Sequence, residues 1–123
     1  MRRDGNTQNK RAVGAAYERL ASQYLEESGY RILEQNYRCR SGEIDLIALD
    51  GEYLVFCEVK YRKNLCTGHP LEAVNEKKQR IISKCAGHYI MGHHLGDRPC
   101  RFDVIGICGE EITLVKNAFE FLI

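Results

Sequence analysis

The sequence predicts a single α/β domain in which two helices flank a sheet of about five strands. Three observations support this prediction. The chain has 123 residues, the size of one domain. Apolar residues recur with helical spacing in two segments. Short apolar runs typical of strands lie between and after those segments.

The composition excludes several classes of protein. Hydrophobic residues make up 44% of the chain and charged residues 28%, so it can bury an ordinary core and is not disordered, collagen-like or of low complexity. The formal net charge is +1, which neither favours nor excludes a polyanionic partner. No apolar run is long enough to span a bilayer, and the polar N-terminus does not resemble a secretion signal. We therefore expect a cytoplasmic protein with no membrane partner.

The six cysteines show no CxxC spacing, so a zinc site is not expected. We expect reduced thiols that pack as small hydrophobic side chains, rather than a disulfide framework.

The first helix follows a basic segment. Residues 1–11 are rich in basic and polar residues without apolar periodicity, which predicts a flexible basic N-terminal arm. An amphipathic helix then runs from Val13 to a stop before Gly29. Its predicted apolar stripe comprises Val13, Ala16, Tyr17, Leu20, Ala21, Tyr24 and Leu25. Glu18 lies at the border of this stripe.

Three strands follow. Residues 30–39 form the first, and residues 43–49 and 52–62 form a hairpin that turns on Asp50-Gly51, a dipeptide typical of two-residue hairpin loops. Both hairpin strands are apolar on both faces, which places them in the middle of the sheet with helices over them.

The rest of the chain supplies a helix and two strands. The second helix is predicted over residues 71–91, with an apolar stripe of Val74, Ile81, Ile82, Cys85 and Tyr89. Residues 102–108 and 111–116 form two further short strands.

The hairpin concentrates charge. Its predicted register pairs Asp45 with Phe56 and places Asp45 diagonal to Glu58. Because strand side chains alternate, Glu43, Asp45, Glu58 and Lys60 would project from one face. Such a cluster either holds Mg²⁺ or Mn²⁺ or forms salt bridges with Lys60 on a solvated face. Spacing alone leaves both interpretations open.

These residues resemble a known signature. Gly42-Glu43-Ile44-Asp45 followed by Val55-Phe56-Cys57-Glu58-Val59-Lys60 is similar to the Asp…Glu-x-Lys signature of the PD-(D/E)XK nuclease superfamily. Within that superfamily the chain resembles the YraN-like family of small bacterial proteins, which are related in fold to Holliday-junction resolvases. Blocks that carry this resemblance are Gly14 to Glu18, Asn36-Tyr37-Arg38, Lys78-Gln79, Arg101-Phe102-Asp103-Val104 and Lys116-Asn117-Ala118-Phe119. Ile44 stands where the superfamily has Pro, and Tyr17 where the family more often has Ala.

The resemblance implies a fold and a site. It implies a restriction endonuclease-like fold with a central mixed sheet and an α-β-β-β-α-β core, formed by residues 12–123 as one nuclease-like domain. It also implies that Asp45 and Glu58 bind Mg²⁺ or Mn²⁺ and that Lys60 orients or activates the attacking water. Glu18 would be an accessory metal ligand and Glu43 a secondary one. The alternative for both is a solvated carboxylate.

Basic residues in and near the second helix are candidates for phosphate contacts. Lys77, Arg80 and Lys84 form a ridge along the helix, which is either a nucleic-acid contact or a solvated face. Lys78 and Gln79 are placed to point toward the carboxylates, and Arg62 follows the signature directly.

The resemblance implies a metal-dependent endonuclease that hydrolyses phosphodiester bonds in DNA, including branched or junction DNA. The alternative is a non-catalytic nucleic-acid-binding module of the same fold. DNA is favoured over RNA as the partner, and a homodimer is compatible with the likeness to resolvases.

Overall fold

The computed structural model describes residues 2–62 and 68–122, with side chains from Lys10 onward. Within these two ranges, two α-helices, one 3₁₀ helix and five strands follow one another. They are α1 (Arg2–Glu27), β1 (Arg31–Cys39), β2 (Gly42–Asp50), β3 (Tyr53–Arg62), the 3₁₀ helix (Pro70–Ala73), α2 (Glu76–Gly92), β4 (Cys100–Cys108) and β5 (Glu111–Phe119).

The strands form one mixed sheet in the order β1-β2-β3-β4-β5. Neighbouring strands are antiparallel except β3 and β4, which are parallel and are joined by the crossover through α2. The sequence prediction of an α/β domain with a mixed five-stranded sheet is therefore confirmed.

Each face of the sheet is covered by one helix. Ala21 and Leu25 of α1 pack against Leu46, Val55 and Ile105 on one face. On the other face, α2 packs Ile82, Cys85 and Tyr89 against Ile47 and Phe56. The hairpin strands β2 and β3 are thus buried on both sides, as their two-faced apolar pattern predicts. Within the described ranges, neither helix has the length and apolar composition that crossing a bilayer requires.

The first helix is longer than predicted, and a different face of it is buried. It begins at Arg2, so the segment predicted as a basic arm is helical in the structure. The extension contains Gly5, Asn6, Thr7 and Asn9, which are weak helix formers, so it continues from the packed part of α1 rather than from its own propensity. Ala16 is exposed, and Leu20 is 43% exposed, so the stripe is also rotated. This rotation brings Gly14 and Glu18 toward the sheet.

The second helical segment is divided. The predicted helix over residues 71–91 is instead a 3₁₀ turn followed by α2, which begins after Asn75. The Asn75 side chain accepts a hydrogen bond from the Lys78 backbone N–H at 2.9 Å, and this N-cap starts a new helix. Val74, Ile82, Cys85 and Tyr89 are buried as predicted.

The hairpin register differs from the prediction by two residues. Asp50 pairs with Tyr53 and Leu46 with Cys57, so the loop is Gly51-Glu52 rather than Asp50-Gly51. Gly51 has a φ of 62°, which a glycine adopts without strain. A positive φ is what the first position of a two-residue hairpin loop requires. A shift of two residues preserves the face of each side chain.

The cysteines are not all reduced. Cys39, Cys57, Cys85 and Cys100 are free, whereas Cys108 is disulfide-bonded. The expectation of reduced thiols is therefore wrong for Cys108, because sequence spacing alone does not show which cysteines form a bond.

Both edge strands are irregular. In β1 the pairing register shifts between Ile32 and Glu34, and Asn36 has a φ of 54°. Along β5 the register shifts opposite Phe102 and Val104, and Asn117 also has a φ of 54°. Asparagine tolerates this left-handed conformation better than most residues.

A buried polar network closes the hairpin end of the sheet. The Asp103 side chain is fully buried and accepts hydrogen bonds from Tyr30 Oη at 2.8 Å, Arg101 Nε at 2.9 Å and the Asn117 backbone N–H at 3.0 Å. The Arg101 guanidinium also donates to Asp50 at the hairpin turn, at 2.8 Å. Burial and the hydrogen bond to Asp103 raise the pKa of Tyr30, and the hydrogen bond from Arg101 lowers the pKa of Asp50. This Asp103 network joins the start of β1, the β2–β3 turn, β4 and β5.

We expect Asp103→Asn to lower the free energy of unfolding by about 3 kcal/mol, because it leaves a mostly buried guanidinium without its main partner. Chemical denaturation of the variant measures this loss. The control is Asp97→Asn, which makes the same chemical change at an exposed loop position and should leave stability unchanged. Equal stability of the two variants would contradict a structural role for Asp103.

Candidate active site

The site begins where the ladder between β2 and β3 ends. These strands pair only between residues 46–50 and 53–57, although β3 continues to Arg62. Past the last pair, the Asp45 carboxylate accepts a hydrogen bond from the Val59 backbone N–H at 2.8 Å. A side chain thus takes the place of a strand carbonyl, and two strands diverge around it.

Strand β2 changes face at the same point. Ile44 packs in the cluster under α2, whereas Leu46, two residues on, packs in the cluster under α1. In a regular strand these two side chains would share a face. The prediction that Glu43, Asp45, Glu58 and Lys60 project from one regular face is therefore wrong in its geometry.

Glu58 is the buried acid of the site. The residue is only 4% exposed, and the ammonium groups of Lys60 and Lys78 both lie 3.6 Å from its Oε2. Its other oxygen, Oε1, is buried and accepts no hydrogen bond from the described part of the chain. A buried carboxylate oxygen without a donor is costly, so the site favours an additional positive group beside Oε1.

Asp45 and Glu58 interact across the gap between the strands. Burial and the nearby negative charge of Glu58 raise the pKa of Asp45 to about 7, against the hydrogen bond from Val59, which lowers it. Near neutral pH the pair therefore holds a proton readily. A bound cation would relieve the same repulsion between the carboxylates.

Two further acids lie at the edge of this pair. Burial, together with the charges of Asp45 and Glu43, raises the pKa of Glu18, and a hydrogen bond donated by the Asn36 side-chain amide opposes the rise. Glu18 on α1 thus lies close enough for the charges of the site to change its pKa. Glu43 is less involved, since its carboxylate lies 3.8 Å from Arg38 and is 42% exposed.

The residues present fit a cation held by two carboxylates. Over the described residues, no three Asp, Glu, His or Cys side chains are grouped closely enough to hold a metal ion. Glu18 and Glu43 therefore do not complete a preformed ligand set with Asp45 and Glu58. Magnesium accepts one or two protein carboxylates and keeps several waters, so the Asp45–Glu58 pair with its unpartnered oxygen is sufficient for it.

The predicted phosphate-binding residues have different environments. Lys78 lies at the site through its contact with Glu58. Gln79 donates its side-chain amide to the Val74 carbonyl at 2.9 Å, which ties it to the start of α2. The remaining four are exposed, and one of them, Arg80, pairs with Glu76 of its own helix. These four are Arg62, Lys77, Arg80 and Lys84.

A cleft of about 310 Å³ adjoins the site. Lys60 and Arg62 line it together with His69 and Thr113, which the sequence did not single out. Gly106 forms part of its floor opposite Lys60, and a Cβ there would lie 2.6 Å from Pro70. Neither His69 nor Thr113 belongs to a motif, so only the folded structure shows that they line the same cleft as Lys60.

We expect Asp45→Asn to raise the Tm by several degrees at pH 8 in chelator, because an amide can accept from Val59 and donate to Glu58 without adding charge. The folded protein binds a proton at Asp45 that the unfolded chain releases, so wild-type stability should fall as pH rises toward about 7. The difference between variant and wild type should therefore shrink at pH 5.5. Thermal melts of both proteins from pH 5.5 to 8 measure the difference in Tm. A variant Tm below the wild-type Tm at pH 8 would contradict the prediction. Asp97→Asn is the control.

Comparison with known proteins identifies a family. The model of the Uncharacterised protein family UPF0102 matches residues 17–107, which include Glu18, Asp45, Glu58, Lys60 and Lys78. A UPF0102 protein of Lachnoclostridium phytofermentans is 50% identical over 113 residues, covering 91% of this chain and 96% of that protein. One from Syntrophus aciditrophicus is 50% identical over 118 residues, covering 93% and 92%. Another from Stutzerimonas stutzeri is 43% identical over 112 residues, covering 87% and 93%.

Both the family model and these relatives span most of the chain, including the whole of the divergent hairpin. The chain belongs to the UPF0102 family, the YraN-like family that the sequence blocks resemble.

Proposed function

We propose that this protein is a Mg²⁺-dependent endonuclease that hydrolyses phosphodiester bonds in DNA. The observation that carries the proposal is the buried Glu58 carboxylate, which faces Asp45 and two lysines and leaves one oxygen without a partner. The Asp…Glu-x-Lys signature lies on this same hairpin. The buried oxygen beside Asp45 can be satisfied by a shared proton or by a cation, and the signature favours the cation.

Asp45 and Glu58 would hold the metal ion. When bound, Mg²⁺ supplies Lewis-acid polarisation of a phosphate and lowers the pKa of a coordinated water. The protein's own part is to keep both carboxylates close in a partly buried gap, where Val59 orients Asp45 and the lysines orient Glu58.

Lys60 connects the carboxylates to the cleft. Its ammonium lies beside Glu58, and its side chain, about a third exposed, also lines the cleft with Arg62. A phosphate in that cleft would meet Lys60 near the scissile bond, where an ammonium stabilises charge on phosphoryl oxygens and orients the attacking water. Lys78 holds Glu58 from the helix side.

The exposed ridge of Lys77, Arg80 and Lys84 supports a polyanionic substrate. Contacts of this kind read the position of phosphates rather than base sequence, which suits recognition of branched or junction DNA by shape. The free energy gained there is reduced by salt, so binding should weaken steeply with ionic strength.

We expect Mn²⁺ affinity to rise with pH through about 7, because the proton held at Asp45 must leave before a cation binds. Calorimetric Mn²⁺ titrations at pH 6, 7 and 8, in two buffers of different ionisation enthalpy, measure both affinity and proton release. Asp45→Asn should abolish the binding, whereas Asp97→Asn should not change it. Unaltered affinity in Asp45→Asn would refute the metal assignment.

The nuclease activity is tested with plasmid, single-stranded, flapped and four-way-junction DNA and with RNA, in Mg²⁺, Mn²⁺ or chelator. We expect cleavage of DNA that requires the divalent ion. Asp45→Asn, Glu58→Gln and Lys60→Met should each reduce the rate by at least about 100-fold, in the range typical of removing a catalytic acid, base or charge-stabilising group.

Two comparisons distinguish catalysis from binding. Lys77→Met should lower the DNA affinity and reduce the slope with which that affinity falls as salt increases. The cleavage rate at saturating DNA should stay unchanged. If no substrate is cut by wild type and binding survives in all the variants, the nuclease proposal is wrong and a non-catalytic binding module remains. Preferential cleavage of RNA would instead change the substrate class.

A further inference from the structure

Two free cysteines from distant parts of the sequence meet beside the site. Cys39 ends β1, and Cys85 lies in the middle of α2. Their Sγ atoms are 3.1 Å apart, whereas a disulfide needs about 2.05 Å. Closing this distance requires a movement of roughly 1 Å.

The two thiols have unequal environments. Cys39 is partly exposed, and Cys85 is fully buried. Burial raises the pKa of Cys39, but the hydrogen bond it shares with Cys85 and those from the backbone N–H groups of Ser41 and Gly42 outweigh it, and the pKa falls below its usual value. Burial and the neighbouring Cys39 raise the pKa of Cys85 to about 12. The lowered pKa favours Cys39 as the attacking thiolate. Once Cys39 is in a mixed disulfide, it no longer carries the negative charge that helps to raise the pKa of Cys85.

We propose that Cys39 and Cys85 form a redox-responsive dithiol that reacts with low-molecular-weight disulfides of the glutathione type. In the first step the Cys39 thiolate attacks one sulfur of the small disulfide, so a Cys39 mixed disulfide forms and one small thiolate leaves. Cys85 then attacks the Cys39 sulfur and releases the second small molecule, which takes the Cys85 proton and leaves as a thiol. The protein loses two electrons, and the small disulfide is reduced to a thiol and a thiolate.

The resulting bond would join the two halves of the site. Cys39 pairs with Gly42, the first residue of β2, and Asp45 follows three residues later. The turn already lies close on α2, since a Cβ at Gly42 would be 2.6 Å from Ile81 Cγ2 and 3.7 Å from Cys85 Sγ. Lys78, which contacts Glu58, lies two turns before Cys85. Oxidation would therefore fix the strand that carries Asp45 to the helix that carries Lys78.

The test oxidises the reduced full-length protein with oxidised glutathione, blocks remaining thiols with N-ethylmaleimide and maps peptides by mass spectrometry. We expect a peptide in which Cys39 is linked to Cys85, and a Tm at least about 5 °C higher than that of identically oxidised Cys39→Ser, which keeps Cys108. Mapping keeps this bond distinct from the one at Cys108. Failure to find the linked peptide in wild type would overturn the proposal.

Variants assign the two roles. Cys85→Ala, which keeps the position apolar, should accumulate a Cys39–glutathione mixed disulfide at least about tenfold above the wild-type level, because nothing resolves it. Cys100→Ser should still form the Cys39–Cys85 link, since Cys100 lies at the start of β4. An unmodified Cys39 in Cys85→Ala, or loss of the link in Cys100→Ser, would contradict the assignment. None of these readouts depends on nuclease activity.

Discussion

The buried ion pair between Arg101 and Asp103 is the constraint on which the sheet depends. It fastens the hairpin turn through Asp50 and reaches the start of β1 through Tyr30. Because one end of the β2–β3 hairpin is held in this way, the opposite end can open without loss of register. The divergence at Asp45 is therefore a local feature of a sheet whose other end is firmly closed.

The chemistry of the site follows from that divergence. In an ordinary ladder the Val59 N–H would bind a backbone carbonyl, and Asp45 would remain on a strand face. Here the carboxylate turns into the gap beside Glu58, and burial together with the repulsion between the two acids raises the pKa of Asp45. A proton relieves this repulsion near neutral pH, and under the proposed function a metal ion would have to displace it, which would link metal affinity to pH.

Much of the fold could be predicted from the sequence, because binary patterning and loop residues act locally. The five strands, the two-faced hairpin and the buried stripe of α2 could all be predicted from the sequence. The site could be predicted only in part. The pairing of Asp45 with Glu58 depends on where the ladder stops, and Lys78 reaches Glu58 only once α2 begins at its Asn75 cap. The Asp103 network, spread over four segments, has no local signal at all.

The irregular edge strands bear on how two copies of this chain could associate. A flat edge with a regular row of free N–H and C=O groups invites another strand to continue the sheet. Asn36 and Asn117, both left-handed, and a register shift on each outer strand interrupt those rows at both edges. Intermolecular sheet extension is thereby disfavoured, so a dimer of this protein would have to be built from its helical faces or loops.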